Sequence, residues 1–590
     1  TKKKKRSAVW KYFEESATGG KCKTCGASLQ TPTGTTTALA NHLRRHVLVF
    51  KEYQNECQQL KDGTQRKITD TMKRQDTISS RRKEALDAKV ARMIAVDLQP
   101  FSIVNDRGFR ELMTEAVPGY TPPSRTSLSR TIIPKLYDDT RRKVQEELRA
   151  AFENGMESIS FTSDMWTSCA NEAYISLTCH FLDSAYCLKH YHLNTSYFSG
   201  RHTAAKIASA LEELVAEWSI DTHACPVYIV TDNARNMKAA IRELGWCERS
   251  CMAHTLQLVI SDAKDCTRGI QELCKKARAV VGHYKHSTQA QGRLDEYRRK
   301  SGKAPLHVKQ DVETRWNSEF LMLDRLLELK EAICVDFASH DMPVDGLTAS
   351  DWRQMKEYVG TLKPLADATT TAGGDKYPTL SSQIPILYCI FEHLRCASEK
   401  EDSEFAQNLV KSLKTRFSDY QLDVAASLAM FIDPRYKTLI YKSVPAKEVW
   451  LRDVVSKELE KLGPDEWPSS VELTPHQEHQ CQSASTTLWD SFDLLVKDQE
   501  CSASQPQKEL ENYTSDKPVS RDADPCQWWY TTGQHKFPHL ARLARRYLPI
   551  PATSVPSERV FSLSGNVACT RRARLTPRHV EHLAFLHDNL

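Results

Sequence analysis

Four metal-binding side chains near the N-terminus place the tightest constraint on what this chain can fold into. Cys22 and Cys25 form a C-x2-C pair, and His42 and His46 follow it at H-x3-H spacing. Two thiolates from one turn and two imidazoles one helical turn apart are the ligands of a structural Zn²⁺ site. A domain of about 50 residues buries too little surface to be stable by itself, so the metal would supply much of its folding energy. We therefore predict a small zinc-binding domain over residues 1–52.

An aromatic pair precedes the metal-binding residues. Trp10 and Phe13 stand at W-x2-F spacing before the first cysteine. This order resembles the BED finger that is found in chromatin-boundary proteins and in hAT transposases. The resemblance implies a ββα-like finger that binds DNA and keeps Trp10 and Phe13 in its core, with Leu39 and Leu43 packed behind the histidines. The candidate DNA contacts beside or on the histidine-bearing helix are Lys21, Lys23, Asn41, Arg44 and Arg45.

The positive charge of the chain is concentrated at its N-terminal end. The first 50 residues hold ten lysines and arginines against two glutamates, whereas the net charge of all 590 residues is only +6. A basic end on a nearly neutral body is typical of an arm that binds nucleic acid. The run Lys2–Arg6 has the composition of a nuclear localisation signal, although a solvated charge run fits it equally well. We expect a nuclear protein.

Length and composition narrow the class of protein further. A chain of 590 residues is too long for one core, and 40% hydrophobic with 26% charged residues is ordinary for a soluble globular protein. No apolar run approaches the roughly 20 residues of a membrane helix, and the lysine-rich start predicts no secretory signal. We expect the 18 cysteines to be free thiols in a reducing compartment, apart from the metal ligands. Because the sequence begins at Thr1 instead of methionine, we also expect N-terminal residues to be missing.

Two segments of different composition follow the finger, residues 53–95 and residues 96–152. Residues 53–95 are charged and poor in large apolar groups, which predicts a linker with partial helix. Apolar periodicity returns in residues 96–152 and predicts one helix from Asp106 to Glu115 and a second from about Ser124 to Phe152. The segment resembles the helical DNA-binding domain that precedes the core in hAT enzymes.

Short apolar runs in residues 153–311 predict a sheet. A strand over residues 158–162 would end just before Asp164, and a strand over residues 226–231 would end at Asp232. Strands at about 173–181 and 185–194 and a helix at 203–218 lie between them. Three strands, a helix and a strand are how the RNase H-like fold begins, with its first and fourth strands side by side. The two aspartates would then meet at one sheet edge, where they would repel each other unless a cation such as Mg²⁺ lay between them.

Three acidic motifs identify a family resemblance that covers nearly the whole chain. The segments Ser163–Ser168 (SDMWTS), Val230–Met237 (VTDNARNM) and Ser557–Gly565 (SERVFSLSG) look like the acidic motifs of hAT transposases. The resemblance implies an Asp–Asp–Glu triad of Asp164, Asp232 and Glu558 that holds Mg²⁺ or Mn²⁺. Taken singly, an Asp after a strand is usually a turn or cap residue, and a Glu on a helix is usually solvated.

Two smaller motifs also resemble the family. Cys251 and His254 match its C-x2-H, for which we favour a structural or DNA-positioning role because two ligands do not close a zinc site. Thr314–Ser318 matches an R-W motif whose Trp316 would contact flanking DNA by stacking. The alternative that Trp316 belongs to the core stays open.

The remainder of the chain is mostly helical in pattern. We expect an all-α insertion domain over 312–525, with a largely disordered loop at about 464–524 that is poor in apolar residues. Residues 526–590 would complete the core and resemble the hAT C-terminal dimerisation region, which implies a homodimer or a higher homo-oligomer. The candidate phosphate contacts in this stretch are Arg559, Arg571 and Arg572, with further arginines at 542, 545, 546, 574 and 578.

Together these patterns predict a multidomain α/β protein: a BED zinc finger, a helical DNA-binding domain, an RNase H-like catalytic core interrupted by the all-α insertion, and a dimerisation region. The resemblance implies a cut-and-paste DNA transposase. It would bind double-stranded DNA at terminal inverted repeats, cleave it with metal ions, form a hairpin on the flanking DNA and join the ends to target DNA. We expect no membrane partner and no small-molecule substrate. The first alternative is a domesticated nuclear DNA-binding transcription regulator that no longer cuts. The second is a nuclease, which leaves the finger and the dimerisation region unexplained.

Overall fold

The computed structural model describes most of the chain, and the statements below concern these ranges: 7–16, 18–31, 35–57, 78–168, 171–313, 315–400, 403–418, 420–462, 505–567 and 576–590. They divide into two compact units, one of Thr1–Ala88 with Ser102–Arg125 and one of Lys89–Phe101 with Thr126–Leu590. None of the cysteines within the described ranges forms a disulfide. None of the helices described there combines the length and the apolar composition that a bilayer crossing requires.

The N-terminal finger is built on three short antiparallel strands. A 3₁₀ turn at Ala8–Tyr12 leads into β1 (Phe13–Ser16), β2 (Gly19–Cys22), β3 (Ser28–Gln30) and α1 (Thr37–Leu43), and a further helix covers residues 47–57. The strand order is β1-β2-β3. The finger therefore has one more strand than the ββα arrangement that the resemblance implied, because the chain after the C-x2-C turn pairs with β2.

The finger core is small. Its buried apolar residues are Val9, Phe13, Cys22, Leu39 and Leu43, with Trp10 partly buried against them. This confirms the predicted packing of the two leucines and of the aromatic pair. Gly20 is required beneath Trp10, since a Cβ there would lie 3.0 Å from the indole ring.

The described part of the predicted linker is mostly helical, in line with the partial helix expected there. Of residues 53–95, the range 58–77 lies outside the described residues, whereas α2 (Ser80–Val96) is a regular helix. Its last turns are buried at Val90, Ala91, Ile94 and Ala95. The predicted helix at 106–115 is α3 (Arg107–Ala116).

The second helix predicted in this region is also present. A 3₁₀ turn (Phe101–Asn105) precedes α3, and after it come a short helical turn (Arg125–Ser127), a π-helical turn (Leu128–Ile132) and α4 (Ile133–Glu153). The continuous helical stretch from Arg125 to Glu153 starts and ends within one residue of the predicted limits, because the apolar positions of α4 recur at helical spacing and are buried together.

The larger unit contains a five-stranded sheet. Its strands are β4 (Ile159–Thr167), β5 (Ala173–Leu182), β6 (Leu188–Tyr197), β7 (Val227–Thr231) and β8 (Cys247–Ser250). The order is β6-β5-β4-β7-β8, with antiparallel pairs up to β4 and parallel pairs beyond it. The first and fourth strands are neighbours, as predicted. The crossover helices α5 (Ala204–Glu217) and α6 (Arg235–Leu244) flank β7 in the sequence and pack against each other.

A large helical region follows β8. Its helices are α7 (Met252–Cys266), α8 (Ile270–His286), α9 (Thr288–Lys300), α10 (Trp316–Ser339), α11 (Ala349–Ala372), α12 (Leu380–Lys400) and α13 (Glu404–Arg416). One apolar core runs from Met252 through all seven helices to Leu413. The helical region therefore begins about 60 residues before the expected boundary at 312, because α7 to α9 bury their apolar faces against α10 and the helices after it.

A second helical core follows. It is formed by a 3₁₀ turn (Tyr420–Leu422), α14 (Val424–Ile432), α15 (Pro445–Lys461), α16 (Gln505–Ser515), the turns Pro525–Trp528, Trp529–Gly533 and Gln534–Lys536, and α17 (Pro538–Tyr547). Residues 463–504 of the expected disordered loop lie outside the described residues. The expectation was wrong for 505–515, since Tyr513 of α16 is fully buried and donates to the carbonyl of Ile432 at 2.8 Å.

Two helices end the chain. These are α18 (Val555–Val567), which packs on β4 and β5, and α19 (Pro577–Asn589), which packs on β6 and α4. They bring the C-terminal stretch back onto the sheet, as the predicted completion of the core requires.

Candidate functional site

The register of two parallel strands aligns the two aspartates. Ile159 of β4 pairs with Val227 of β7, and the same offset continues to Thr162 and Val230. One more pleat along both strands reaches Asp164 and Asp232. The two acids therefore follow the last paired residues at the same offset, Asp164 still within β4 and Asp232 directly after the end of β7.

Asp164 lies within a strand and not after it, which corrects the predicted strand end. It pairs with Ser176 of β5, and β4 continues to Thr167. The extension is favoured by Trp166, whose ring stacks on Tyr174 of β5 at 5.0 Å. One carboxylate oxygen of Asp164 accepts the backbone N–H of Met165 at 2.7 Å.

Glu558 reaches the same face through α18. The hydroxyl of the preceding residue, Ser557, is fully buried and lies 2.7 Å from the hydroxyl of Thr162. The Thr162 hydroxyl in turn lies 2.6 Å from that of Thr178 on β5. Since Thr162 is one pleat before Asp164, this contact brings the first turn of α18 to the acidic end of β4.

Cys251 joins the end of β7 to the segment that enters α18. Its backbone N–H donates to the carbonyl of Thr231 at 2.8 Å, directly before Asp232. Its buried sulfur accepts the N–H of Ser554 at 3.3 Å and, as the cap of α7, the N–H of His254 at 3.4 Å. The C-x2-H motif therefore sits beside two of the three acids, where its cysteine ties two chain segments together.

The charges of Asp232 and Glu558 act on the carboxyl group of Asp164. Burial raises the pKa of Asp164 to about 7; the N–H of Met165 opposes this, and the negative charges of Asp232 and Glu558 add to it. Oxygen donors in a partly buried acidic cluster fit a hard cation such as Mg²⁺ or Mn²⁺, which would offset this repulsion. Within the described ranges, only the cysteines and histidines of the finger have three or more ligand atoms within 4.8 Å of one another, so the three acids are spaced more widely than a zinc set.

The arginines near the C-terminus have different surroundings from those expected. Arg559 binds the carboxylate of Asp375 and the carbonyl of Gly373. Arg542 and Arg546 bind Glu157, which precedes β4 and so lies at the opposite end of that strand from Asp164. Residues 571–575, with the predicted contacts Arg571 and Arg572, lie outside the described residues.

Trp316 opens α10 and is only 7% exposed. Its ring packs in the apolar core of the helical region and lies 6.4 Å from that of Phe320. Its backbone N–H donates to the side chain of Gln257 at 3.1 Å. This position favours the core interpretation that the sequence left open.

The four predicted zinc ligands come together in the finger. All their ligand atoms lie within 4.8 Å of one another. The sulfur of Cys25 is 3.2 Å from Nε2 of His42, which is 3.4 Å from Nε2 of His46. Bonds of about 2.0–2.3 Å in a tetrahedral zinc site give ligand separations of about 3.3–3.8 Å, so the residues fit Zn²⁺.

The two histidines are not on one α-helical turn, which corrects the expectation. Helix α1 ends at Leu43, and the N–H groups of Arg45 and His46 bond three residues back. This tighter turn swings the ring of His46 over that of His42, with 5.2 Å between the ring centres.

The predicted DNA contacts of the finger lie on its surface. Lys21 is exposed on β2, Asn41 is exposed on α1, and Arg44 and Arg45 are exposed in the turn after α1. Lys23 is also exposed, and its ammonium donates to the carbonyl of Lys11 at 3.1 Å. The four basic side chains therefore leave their charges open to a polyanion.

The sequence did not point to every residue that shapes the acidic site. Thr162 and Asp375 carry no motif of their own, and their contacts with α18 are long-range. The one indication in the sequence was the serine of the S-E-R motif, Ser557. Its small hydroxyl, next to the glutamate, can hydrogen-bond to the sheet on which α18 packs. The partner of Ser557 could be identified only after the strands were in register.

Four models of known families match parts of the chain. These are the BED zinc finger (residues 7–46), the ZBED1 RNase-like domain (162–257), the ZBED1 RNase-like helical domain (249–360) and the hAT family C-terminal dimerisation region (509–590). The helical match begins close to Met252, where the helices of the structure begin.

Related proteins match over most of the chain. The human zinc finger BED domain-containing protein 4 is 27% identical over 100% of this chain and 52% of its own length. The "Putative AC transposase" of Zea mays is 25% identical over 83% of this chain and 63% of its own length. The zinc finger BED domain-containing protein RICESLEEPER 2 of Oryza sativa subsp. japonica is 25% identical over 100% of this chain and 88% of its own. The chain thus spans about half to two thirds of the first two relatives. The chain matches a BED finger at one end and the hAT dimerisation region at the other, and it is similar both to BED-finger proteins and to AC transposases.

Proposed function

We propose that this protein is a hAT-type DNA transposase that cuts and joins DNA with a site formed by Asp164, Asp232 and Glu558. The observation that carries the proposal is the common register of β4 and β7, which aligns the two aspartates, together with the contact of Ser557 on Thr162, which brings the neighbouring glutamate to them. The electrostatic influence of Asp232 and Glu558 on the carboxyl group of Asp164 supports the same grouping.

The three carboxylates would hold two divalent ions, and the bound ions would supply the charge that activates an attacking oxygen and stabilises a leaving one. The protein contributes positioning. Asp164 is held in β4 by pairing with Ser176 of β5, and Asp232 is fixed by accepting the N–H of Ala234 at 3.1 Å. Rigid placement matters because phosphoryl transfer depends on the alignment of the reacting groups.

DNA recognition is assigned to the finger. Its exposed basic side chains and Asn41 would contact phosphates and base edges of the transposon ends, and Zn²⁺ would hold the fold that presents them. The dimerisation region would join two such chains, so that both ends of the element are held together. A nuclear location follows from binding to chromosomal DNA and from the basic run at residues 2–6.

The test is strand cleavage. Wild-type protein and Asp232→Asn are incubated with DNA from the flanks of the coding sequence and Mg²⁺, and Asp453→Asn serves as the control because that carboxylate is exposed on α15 and pairs with Lys457. We expect cleavage by the wild type and the control and at least about a hundredfold loss in Asp232→Asn. Equal activity in all three proteins, or none in any of them, would remove the enzymatic proposal.

A second candidate function is a nuclear DNA-binding regulator that no longer cuts. It is favoured by the names of several relatives, which are zinc finger BED domain-containing proteins and not transposases. Short terminal inverted repeats around the coding region would favour the transposase, whereas a multi-exon gene without repeats would favour the regulator.

Both candidates require the finger to read DNA. Chelation of zinc, or Cys25→Ala, should abolish specific binding, because too little of the finger is buried to hold it folded without metal. Unchanged binding would assign recognition to residues 96–152 instead.

A further inference from the structure

The residue after Glu558 is tied to the helical region. Arg559 donates from Nη1 to the carboxylate of Asp375 and from Nη2 to the carbonyl of Gly373 at 2.7 Å. Both acceptors lie in the chain directly after α11. The guanidinium therefore spans from the first turn of α18 to the end of a helix that is more than 180 residues away in sequence.

The backbones approach closely at the same place. A Cβ at Gly373 would lie 3.3 Å from Cγ1 of Val555, and the hydroxyl of Thr553 donates to the carbonyl of Ala372 at 3.4 Å. The absence of a side chain at Gly373 lets the start of α18 sit against the end of α11. The ion pair of Arg559 is therefore one of three contacts that converge on this junction.

We infer that Arg559 and Asp375 form a latch that positions Glu558. On one side of α18, Ser557 is bonded to Thr162 of the sheet; on the other, Arg559 is bonded to the helical region. The glutamate lies between these two attachments, so its carboxylate can be aimed only while both hold. The inference rests on the proposed function, because it takes Glu558 as a metal ligand. Arg559 is then a positioning residue.

A phosphate contact is the competing role for Arg559, because half of its side chain is exposed. Its Nη1 and Nη2 groups are already engaged, and the carboxylate of Asp375 would repel a phosphate that approached the same guanidinium. The two roles differ in what they require of Asp375. A latch needs that carboxylate, whereas phosphate binding by Arg559 would improve when it is removed.

The experiment uses the full chain with Arg559→Ala, Asp375→Ala, the double variant and Arg559→Lys. Arg395→Ala is the matched control, since Arg395 has a similar exposure (52%) and pairs with Glu392 and Glu399 on α12. The readouts are amide hydrogen exchange in peptides that cover residues 555–562, Mn²⁺ affinity and DNA affinity at several salt concentrations.

If the latch exists, each alanine variant speeds exchange and weakens Mn²⁺ binding by about three- to tenfold, the range for a partly exposed charged hydrogen bond. The double variant adds little to either single one, because both remove the same contact. Arg559→Lys lies between wild type and Arg559→Ala, and Arg395→Ala changes nothing.

Unchanged exchange in Arg559→Ala or in Asp375→Ala overturns the latch. So does a loss of DNA affinity with a shallower salt dependence in Arg559→Ala alone, which identifies a phosphate contact. A wild type that binds no Mn²⁺ contradicts the proposed function instead, and in that case the exchange rates still decide whether the latch exists.

Discussion

Replacement of Cys251 by alanine should destabilise the larger unit by about 3 kcal/mol. The sulfur accepts two backbone N–H groups, those of Ser554 and His254, and it is fully buried. Alanine leaves both donors without an acceptor. Sulfur is a weak acceptor at these lengths, so we assign about 1 kcal/mol to each loss and about 1 kcal/mol to the removed sulfur and its packing.

Serine at position 251 should recover part of this loss. Its hydroxyl oxygen also accepts N–H groups, but its shorter bond to Cβ brings it less close to Ser554, so we expect Cys251→Ser to cost about 1–2 kcal/mol. Cys526→Ala is the control. It is a buried thiol of the same unit whose sulfur accepts no N–H among the described residues, and its replacement should cost only about 1 kcal/mol.

The assay is urea unfolding followed by tryptophan fluorescence, combined with a measurement of zinc per chain. The structural role predicts the order Cys251→Ala, then Cys251→Ser, then Cys526→Ala, with zinc content equal to the wild type in all three. Burial raises the pKa of the Cys251 thiol, which favours the neutral form that a cap uses over the thiolate that a metal needs. The reasoning is refuted if Cys251→Ala and Cys526→Ala lose equal stability, or if Cys251→Ala loses a zinc ion.

Three further outcomes follow from the structure. In metal-free buffer, Asp232→Asn should raise the thermal midpoint by the equivalent of about 1 kcal/mol, because one charge that repels Asp164 is gone, whereas added Mg²⁺ should stabilise only the wild type; a lower midpoint without metal would contradict this. Burial, reinforced by the charge of Glu217, raises the pKa of Glu581 to about 7, so the stability that it contributes is complete below its ordinary pKa of 4.5 and is lost as the pH rises to about 7. Glu581→Gln should remove on the order of 1–2 kcal/mol from the change in unfolding free energy over this pH range, a figure reduced to allow for the partial exposure of the group. An unchanged pH dependence would show that the carboxyl group is solvated. Trp316→Ala should cost about 3–5 kcal/mol of stability, because the indole belongs to the helical core; a stable variant that fails only in DNA binding would restore the stacking role.

Much of the local structure was predictable, because it depends on short-range patterns. The helices at 107–116, 133–153 and 204–217 follow from apolar residues at helical spacing, and the strand at 227–231 from a compact β-branched run. The zinc ligands followed from spacing alone, since two close pairs of side chains can meet at one ion with few constraints on the chain between them.

The errors occurred where long-range contacts override local preference. The strand at β4 continues through Asp164 because β5 supplies a pairing partner and Tyr174 a ring for Trp166. Composition predicted disorder for the segment that contains α16, but Tyr513 has a buried place against α14. A segment with few apolar residues can therefore form an ordered helix when one of them packs into an existing core.

The sequence by itself predicted which residues would carry chemistry: the four zinc ligands, and three acids set in motifs that resemble those of a family. Only the tertiary structure decided that those acids could act together, because Ser557 and Thr162 are 395 residues apart and meet only through the ladder of the sheet and the packing of α18 on it. The same packing decided that Arg559 faces Asp375 and that Trp316 faces the core. The sequence gives the type of each side chain directly. The direction in which a side chain points depends on contacts between segments that are distant in the sequence, and these contacts are known only from the tertiary structure.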